Sequence, residues 1–167
     1  MAPKSVNITI ITVSTSRYEK ATQGIAVDDL SGSKAVKMIK ENGHKIISRK
    51  LVNDDKEMIR LEVLRSLYDE DADLVILLGG TGLAKRDVTI ESIMPLLDKE
   101  MGGFGEIFRA VSYQKIGTPA YLSRALAGTL NGKIIFCLPG SPQAVELALN
   151  LILPELSHFA YIIQDVN

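Results

Sequence analysis

The chain has 167 residues, 46% of them hydrophobic, with a formal net charge of −1 and a pI near 6.1. That size and apolar content suit one α/β domain spanning residues 1–167, while the near-zero charge argues against a general nucleic-acid or membrane-surface binder. No stretch approaches the roughly 20 apolar residues of a membrane-spanning helix, and the single cysteine, Cys137, excludes an internal disulfide framework.

The amino terminus, MAPKSVNITIITVS, lacks an apolar segment followed by a cleavage site, so a soluble, cytoplasmic protein is expected. The alternating Val6, Ile8 and Ile10 predict a first strand within residues 6–14. The polar stretch 15–30 is long for a connection and reads as a candidate functional loop. Ser31 can cap a helix to about Asn42, ended by Gly43. Residues 44–52, HKIISRKLV, read as a second strand, and Asp54 with Glu57 opens a capping-box-like helix to about Glu70. Residues 73–80, DLVILLGG, form a third strand whose continuous apolar run implies burial on both faces. Thr89 can cap the helix IESIMPLLDKE, which Pro95 should interrupt.

In the second half, GGFGEIFRAVSYQ and TPAYLSRALAG read as two short helices, the latter with Thr118 as cap and Pro119 at its first position. GKIIFCLPG is the last strand, with Cys137 inside it as a structural thiol. SPQAVELALNLIL repeats the cap-and-proline device with Ser141 and Pro142, and Pro154 interrupts the final helix. Strands alternating with helices are the signature of a layered α/β domain.

The third strand ends in Gly79-Gly80-Thr81-Gly82, followed by Lys85, Arg86 and Asp87. Two standard phosphate loops fail here. A P-loop needs Lys and then Ser or Thr after its last glycine, whereas Gly82 is followed by Leu83 and Ala84. A dinucleotide fingerprint needs a third glycine where Lys85 stands. Two readings stay open: a plain turn, or a nest of backbone N–H groups that binds an anion.

Carboxylates accompany the other strand-to-helix junctions. Asp87 can be a helix-terminal charge or a ligand for nucleotide-borne Mg²⁺. Asp54 can be a helix cap or lie on the same rim as Asp87. Asp29 stands where Ser31 and Gly32 open a helix, and Pro139-Gly140-Ser141 forms a tight turn after the last strand. Ligands in open α/β sheets bind beyond the carboxyl ends of the strands, so the four junctions together point to a pocket. Neither His44 nor His158 is needed for it.

These residues spell a recognisable pattern. Asp29-Leu30-Ser31-Gly32, Val52-Asn53-Asp54-Asp55, Gly79-Gly80-Thr81-Gly82 with Arg86-Asp87-Val88-Thr89, and Leu138-Pro139-Gly140-Ser141-Pro142 occur in the order of the MogA/MoaB family. That family makes molybdenum cofactor and is related to the G domain of gephyrin. The resemblance covers nearly the whole chain. Gly103-Phe104-Gly105-Glu106 with Arg109, Ile116-Gly117-Thr118 and Ser123-Arg124-Ala125 look more like the MoaB branch.

The resemblance implies a three-layer α/β/α sandwich around a mostly parallel mixed sheet, assembled as trimers or hexamers. It implies an activity in which Mg²⁺ and ATP adenylylate molybdopterin and pyrophosphate leaves, for a molybdenum or tungsten cofactor. By position, Asp54 and Asp87 match the catalytic and metal-holding carboxylates. Gly79, Gly80, Thr81, Gly82 and Arg86 match the binding loop, and Asp29, Ser31 and Gly32 the opposite wall. Glu106, Pro139, Gly140 and Ser141 match further pocket positions. Implied partners are molybdopterin, ATP, copies of the chain and the molybdate-inserting enzyme of the pathway. Asn53 replaces a common proline, which should loosen the turn that aims Asp54, and Ser141 replaces a common asparagine. Alternative readings are a nucleotide pyrophosphatase of the CinA type and a non-catalytic molybdopterin carrier or scaffold. Phe104, Phe108, Tyr113, Tyr121 and the tail SHFAYII are candidates for a subunit interface.

Overall fold

The computed structural model describes residues 5–164, so the first four residues of the amino-terminal stretch lie outside it. The chain runs β1 (Asn7–Val13), α1 (Thr15–Thr22), α2 (Leu30–Glu41), β2 (Lys45–Val52), α3 (Lys56–Tyr68), β3 (Leu74–Leu78) and α4 (Thr89–Ile93). It continues through β4 (Lys99–Glu100), α5 (Gly102–Ile116), β5 (Leu126–Leu130), β6 (Lys133–Leu138), α6 (Pro142–Ile152) and α7 (Leu156–Gln164). The strands form one sheet in the order β2-β1-β3-β6-β5-β4. β2, β1, β3 and β6 are parallel, while β5 runs antiparallel to β6 and β4 antiparallel to β5.

Alternating side chains divide the core between the two faces of the sheet. Ile8, Ile10, Ile76, Leu78, Phe136 and Leu138 pack against α2, α5, α6 and α7. Ile11, Val13, Val75, Leu77, Ile135 and Cys137 pack against α3 and α4. All five residues of β3 are buried, as its unbroken apolar run requires. The three-layer α/β/α sandwich around a mostly parallel mixed sheet is therefore the fold. Cys137 is fully buried, and that burial pushes its thiol pKa up, which suits a structural role.

Several local expectations are corrected. The polar stretch after β1 is not all loop, because Ser14 caps α1 by accepting from the Arg17 N–H. α2 is capped by Asp29, not Ser31, and α3 by Asp55, not Asp54. Val88 stands at the cap position of α4, and Thr89 begins the helix. α4 ends at Ile93, and Pro95 sits in a 3-10 turn that leads to β4. The largest difference from expectation lies in TPAYLSRALAG, which is not a single helix. Only its first part is helical, a 3-10 turn at Thr118–Leu122 preceded by Gly117 and without a side-chain cap. The rest enters β5, which turns back into β6 through Asn131-Gly132, both at positive φ (47° and 71°). That dipeptide is the favoured two-residue hairpin turn. Pro154 does separate α6 from α7, through a 3-10 turn.

Candidate active site

Because β1, β2, β3 and β6 are parallel, their carboxyl ends lie on one edge of the sheet. The chain passes from β1 to one neighbour, β2, and later to the other, β3, so a crevice opens beyond the strand ends where the order reverses. The glycine loop follows β3 at this edge. It is anchored by Gly79 N–H donating to Leu138 O, by Thr89 N–H donating to Gly80 O and by Thr89 Oγ1 donating to Gly79 O. Thr89, expected as a helix cap, thus ties α4 to the loop.

Among the described residues, the N–H groups of Gly80, Thr81, Gly82 and Leu83 donate to no protein acceptor. Four successive free donors make the nest reading stronger than the plain turn. Gly80 has φ +66°, and a Cβ there would strike Thr89 Oγ1 and stand 2.9 Å from Asp54 Oδ1. A Cβ on Gly82 would stand 2.6 Å from Asp87 Oδ2. The loop therefore brings Asp54 and Asp87 against glycines two residues apart, whose Cα atoms lie within about 7 Å of each other.

Asp54 is held by α1, the helix hidden in the supposed loop. Its Oδ2 accepts from both Thr15 N–H and Thr15 Oγ1 at 2.8 Å. Asn53 takes over the restraint expected of proline, because its Oδ1 accepts from Asp54 N–H at 2.9 Å. With Asp55 as the cap, Asp54 is free of that duty. Asp87 Oδ2 accepts from Ala84 N–H at 3.1 Å, which closes the loop's second turn. In each carboxylate Oδ1 accepts nothing from the described residues.

The opposite wall is built differently from expectation. Asp29 caps α2 at Gly32 N–H and also accepts from Thr12 Oγ1 at 2.7 Å and from Arg49 at 3.2 Å. Burial alone raises the Asp29 pKa, but the bonds from Thr12, Gly32 and Arg49 outweigh it and hold the carboxyl below its usual range. Ser31 Oγ donates to Gly140 O at 2.6 Å and so fastens α2 to the turn after β6. Asp29, Ser31 and Gly32 thus act here as bracing. Ser141 caps α6 by accepting from Ala144 N–H. Arg86 is exposed and pairs with no carboxylate among the described residues. Glu106 is exposed on α5 and lines neither cavity beside the glycine loop.

Two cavities flank the loop. One, of about 420 Å³, is lined by Gly80, Thr81, Gly82, Asp87, Pro139 and Gly140, with Pro119, Leu122, Ser123 and Arg124. The other, of about 320 Å³, shares Gly82, Asp87 and Arg124 and adds Lys56, Lys85 and Glu91. The residue missed from sequence is Arg124. Its Nε donates to Thr81 O at 2.9 Å and its Nη2 to Gly82 O at 2.7 Å, while Nη1 meets Glu91 Oε1 at 2.5 Å. The sheet places it: β5 pairs Leu126 with Cys137 in antiparallel register, so Arg124 falls opposite Pro139 at the same edge. The sequence signals for this are the Asn131-Gly132 turn and the Ser123-Arg124-Ala125 run of the resemblance, to which no role at the site is attached.

The family described as "Probable molybdopterin binding domain" matches residues 9–158, and the chain belongs to that family, whose members serve molybdenum or tungsten cofactor biosynthesis. Molybdenum cofactor biosynthesis protein B of Bacillus cereus is 49% identical over 162 residues, covering 96% of this chain and 92% of the relative. A crystal structure of a molybdenum cofactor biosynthesis protein B superposes with a TM-score of 0.89 at 48% identity, covering 98% of this chain and 99% of the other. The tungsten cofactor synthesizing protein MoaB from Pyrococcus furiosus gives a TM-score of 0.81 at 38% identity, covering 98% and 100%.

Proposed function

We propose that this protein is a Mg-ATP-dependent molybdopterin adenylyltransferase. The observation that carries the reading is the run of four N–H groups on the glycine loop that are unpaired among the described residues, flanked by carboxylates that each keep one oxygen free of those residues. A bare carboxylate beside a phosphate is repulsive, so this pairing suits a bridging cation.

The donor set fits Mg²⁺ that arrives with a nucleotide. Two single carboxylate oxygens suffice for an ion that keeps water and phosphate ligands, and among the described residues no cluster of three Asp, Glu, His or Cys forms a complete cage. Asp54 and Asp87 would hold the ion or its waters. When bound, it neutralises charge that develops on the phosphates.

In the reaction, a phosphate oxygen of molybdopterin attacks the α-phosphorus of ATP. A new P–O bond forms, the bond to the β-phosphate breaks, and pyrophosphate leaves with the electron pair. Positioning and charge stabilisation dominate such a transfer. The loop N–H groups hold the phosphate oxygens, and Arg124 keeps the loop in shape through the carbonyls of Thr81 and Gly82. Because peptide units are planar and trans, fixing those carbonyls also fixes the N–H directions of Gly82 and Leu83.

Incubation with ATP, Mg²⁺ and molybdopterin tests the reading by mass detection of the adenylylated pterin and pyrophosphate. Pterin binding without product would leave a carrier, and ATP cleavage without pterin would leave a pyrophosphatase.

The same reading includes a closed homo-oligomer, a trimer or hexamer. Phe104 and Phe108, expected at an interface, are buried in the core, but Tyr113, Tyr121, Tyr161 and Ile162 are exposed. Ile107 is exposed as well, beside an apolar recess of about 360 Å³ between α5, α6 and α7. Sedimentation equilibrium at micromolar concentration tests this against the monomer mass of 18.2 kDa.

A further inference from the structure

The two cavities beside the glycine loop differ in charge. The 420 Å³ cavity contains no lysine, and its walls combine loop backbone with Pro119, Leu122 and Pro139. The 320 Å³ cavity is lined by Lys56, Lys85 and the backbone of residues 82–85. Gly82, Asp87 and Arg124 are common to both, so a single extended ligand can pass from one to the other.

The charges of the second cavity are not mutually compensated. Arg124 and Glu91 neutralise each other as an ion pair. Asp87 is engaged with the Ala84 N–H and has no cationic partner among the described residues. Lys56 and Lys85 form no hydrogen bond or ion pair among the described residues through their amino groups. Two amines with no hydrogen-bonded carboxylate among the described residues thus line one small cavity next to a nest of free N–H groups, and with Arg124 they outnumber its two carboxylates, Glu91 and Asp87. Lys56 is also the first residue of the 13-residue helix α3, so the positive end of that helix dipole lies on the same wall. The hydrogen bond from Arg124 lowers the Glu91 pKa against the effect of burial, and the Lys56 charge adds to the lowering, so its field reaches into the cavity. Of the two carboxylates in the lining Glu91 is paired with Arg124, which leaves Asp87 to oppose an anion, and a Mg²⁺ carried by a polyphosphate offsets that repulsion.

We infer that the cavity holding Lys56 and Lys85 is a diphosphate site, which takes the β- and γ-phosphates of the nucleotide and then the departing pyrophosphate. The 420 Å³ cavity takes the α-phosphate and the apolar rings. The assignment rests on the nucleotidyl-transfer reading and divides its substrate between two places. Amines that bind the leaving group also stabilise the charge it acquires as the bond breaks. Being exposed, both lysines exchange ligand with solvent readily, which suits release of a product.

Isothermal titration with Mg²⁺ present tests this with three ligands: AMP, an ATP analogue with a methylene between the α- and β-phosphorus, and inorganic pyrophosphate. The wild-type chain should bind the analogue more tightly than AMP and should bind pyrophosphate alone. In a Lys56→Gln/Lys85→Gln double variant the preference for the analogue over AMP should fall by about tenfold or more, since charge-assisted hydrogen bonds are lost. AMP affinity and melting temperature should hold, and pyrophosphate binding should weaken in parallel. Lys40→Gln, at the far end of α2, controls for the general loss of positive charge. Discrimination retained by the double variant overturns the assignment alone. A wild-type chain that binds none of the three overturns nucleotidyl transfer and the assignment with it.

Discussion

Arg124 Nε donates to the carbonyl oxygen of Thr81 at 2.9 Å, across 43 residues of sequence. The same guanidinium reaches Gly82 O and Glu91, so one planar fork joins the start of β5, the glycine loop and α4. Lysine cannot reproduce that fork.

Arg124→Gln should therefore slow adenylylation by roughly 10- to 100-fold, from loss of charge-assisted bonds to two loop carbonyls. The melting temperature should fall as well, because the side chain is only 30% exposed and bonds to two carbonyls and Glu91. Arg124→Lys should recover only part of the rate. Initial rates at varied ATP decide it, and a Gln variant with wild-type kcat and KM would make Arg124 a surface brace only.

Asp54 and Asp55 offer a clean contrast. Asp55→Ala removes the cap of α3 and should cost about 1 kcal/mol of stability while leaving turnover near normal. Asp54→Asn keeps an acceptor for Thr15 but loses the charge, so turnover should fall about 10²–10³-fold with stability preserved. Chemical denaturation and product assays on both variants would show the two effects separated. An active Asp54→Asn variant would remove Asp54 from the chemistry.

Asp87→Asn should match Asp54→Asn in its loss of rate, since the amide keeps an acceptor for Ala84 N–H. Weakened dependence of nucleotide binding on Mg²⁺ is the specific mark of a metal-holding carboxylate. Unchanged Mg²⁺ dependence in a folded variant would reduce Asp87 to a loop-closing residue.

His44 should give the fold a pH dependence of its own. It is 8% exposed, its Nδ1 accepts from Val6 N–H at 3.3 Å, and burial pushes its pKa below the usual value. The unfolded chain therefore binds this proton more readily than the folded one. Stability from His44 is complete above the unfolded pKa near 6.5 and is lost as pH falls from there through the folded value. Melting temperature should drop between pH 7.5 and pH 5.5 in the wild type, and less so in His44→Asn. Parallel curves would show that His44 titrates alike in both states.

Thr9 lies fully buried on β1 with its hydroxyl unpaired among the described residues. Thr9→Val keeps the shape and removes an unsatisfied polar atom, so it should add about 1 kcal/mol of stability. A destabilised variant in urea titrations would mean that the hydroxyl has a water partner.

The strands around β1 and β3, the buried character of β3 and the glycine loop were legible from sequence because their signals are local. Apolar runs, period and glycine placement act over a few residues, and parallel strands bring their ends to one edge whatever the details. Tertiary structure decided the rest, where neighbouring residues compete for one role or a segment takes its form from a distant partner. Asp54 and Asp55 are equally good caps by composition. In the fold Asp55 takes the cap by accepting from Met58 N–H, while Asp54 accepts from Thr15 of α1, a contact that no local pattern announces. Residues 126–130 are rich in leucine and small residues and carry little strand signal of their own. They become β5 because the Asn131-Gly132 turn folds them onto β6, where the edge of a buried sheet supplies the hydrogen bonds. That antiparallel return carries Arg124 to the glycine loop, and no local pattern in the sequence encodes a contact that depends on sheet order.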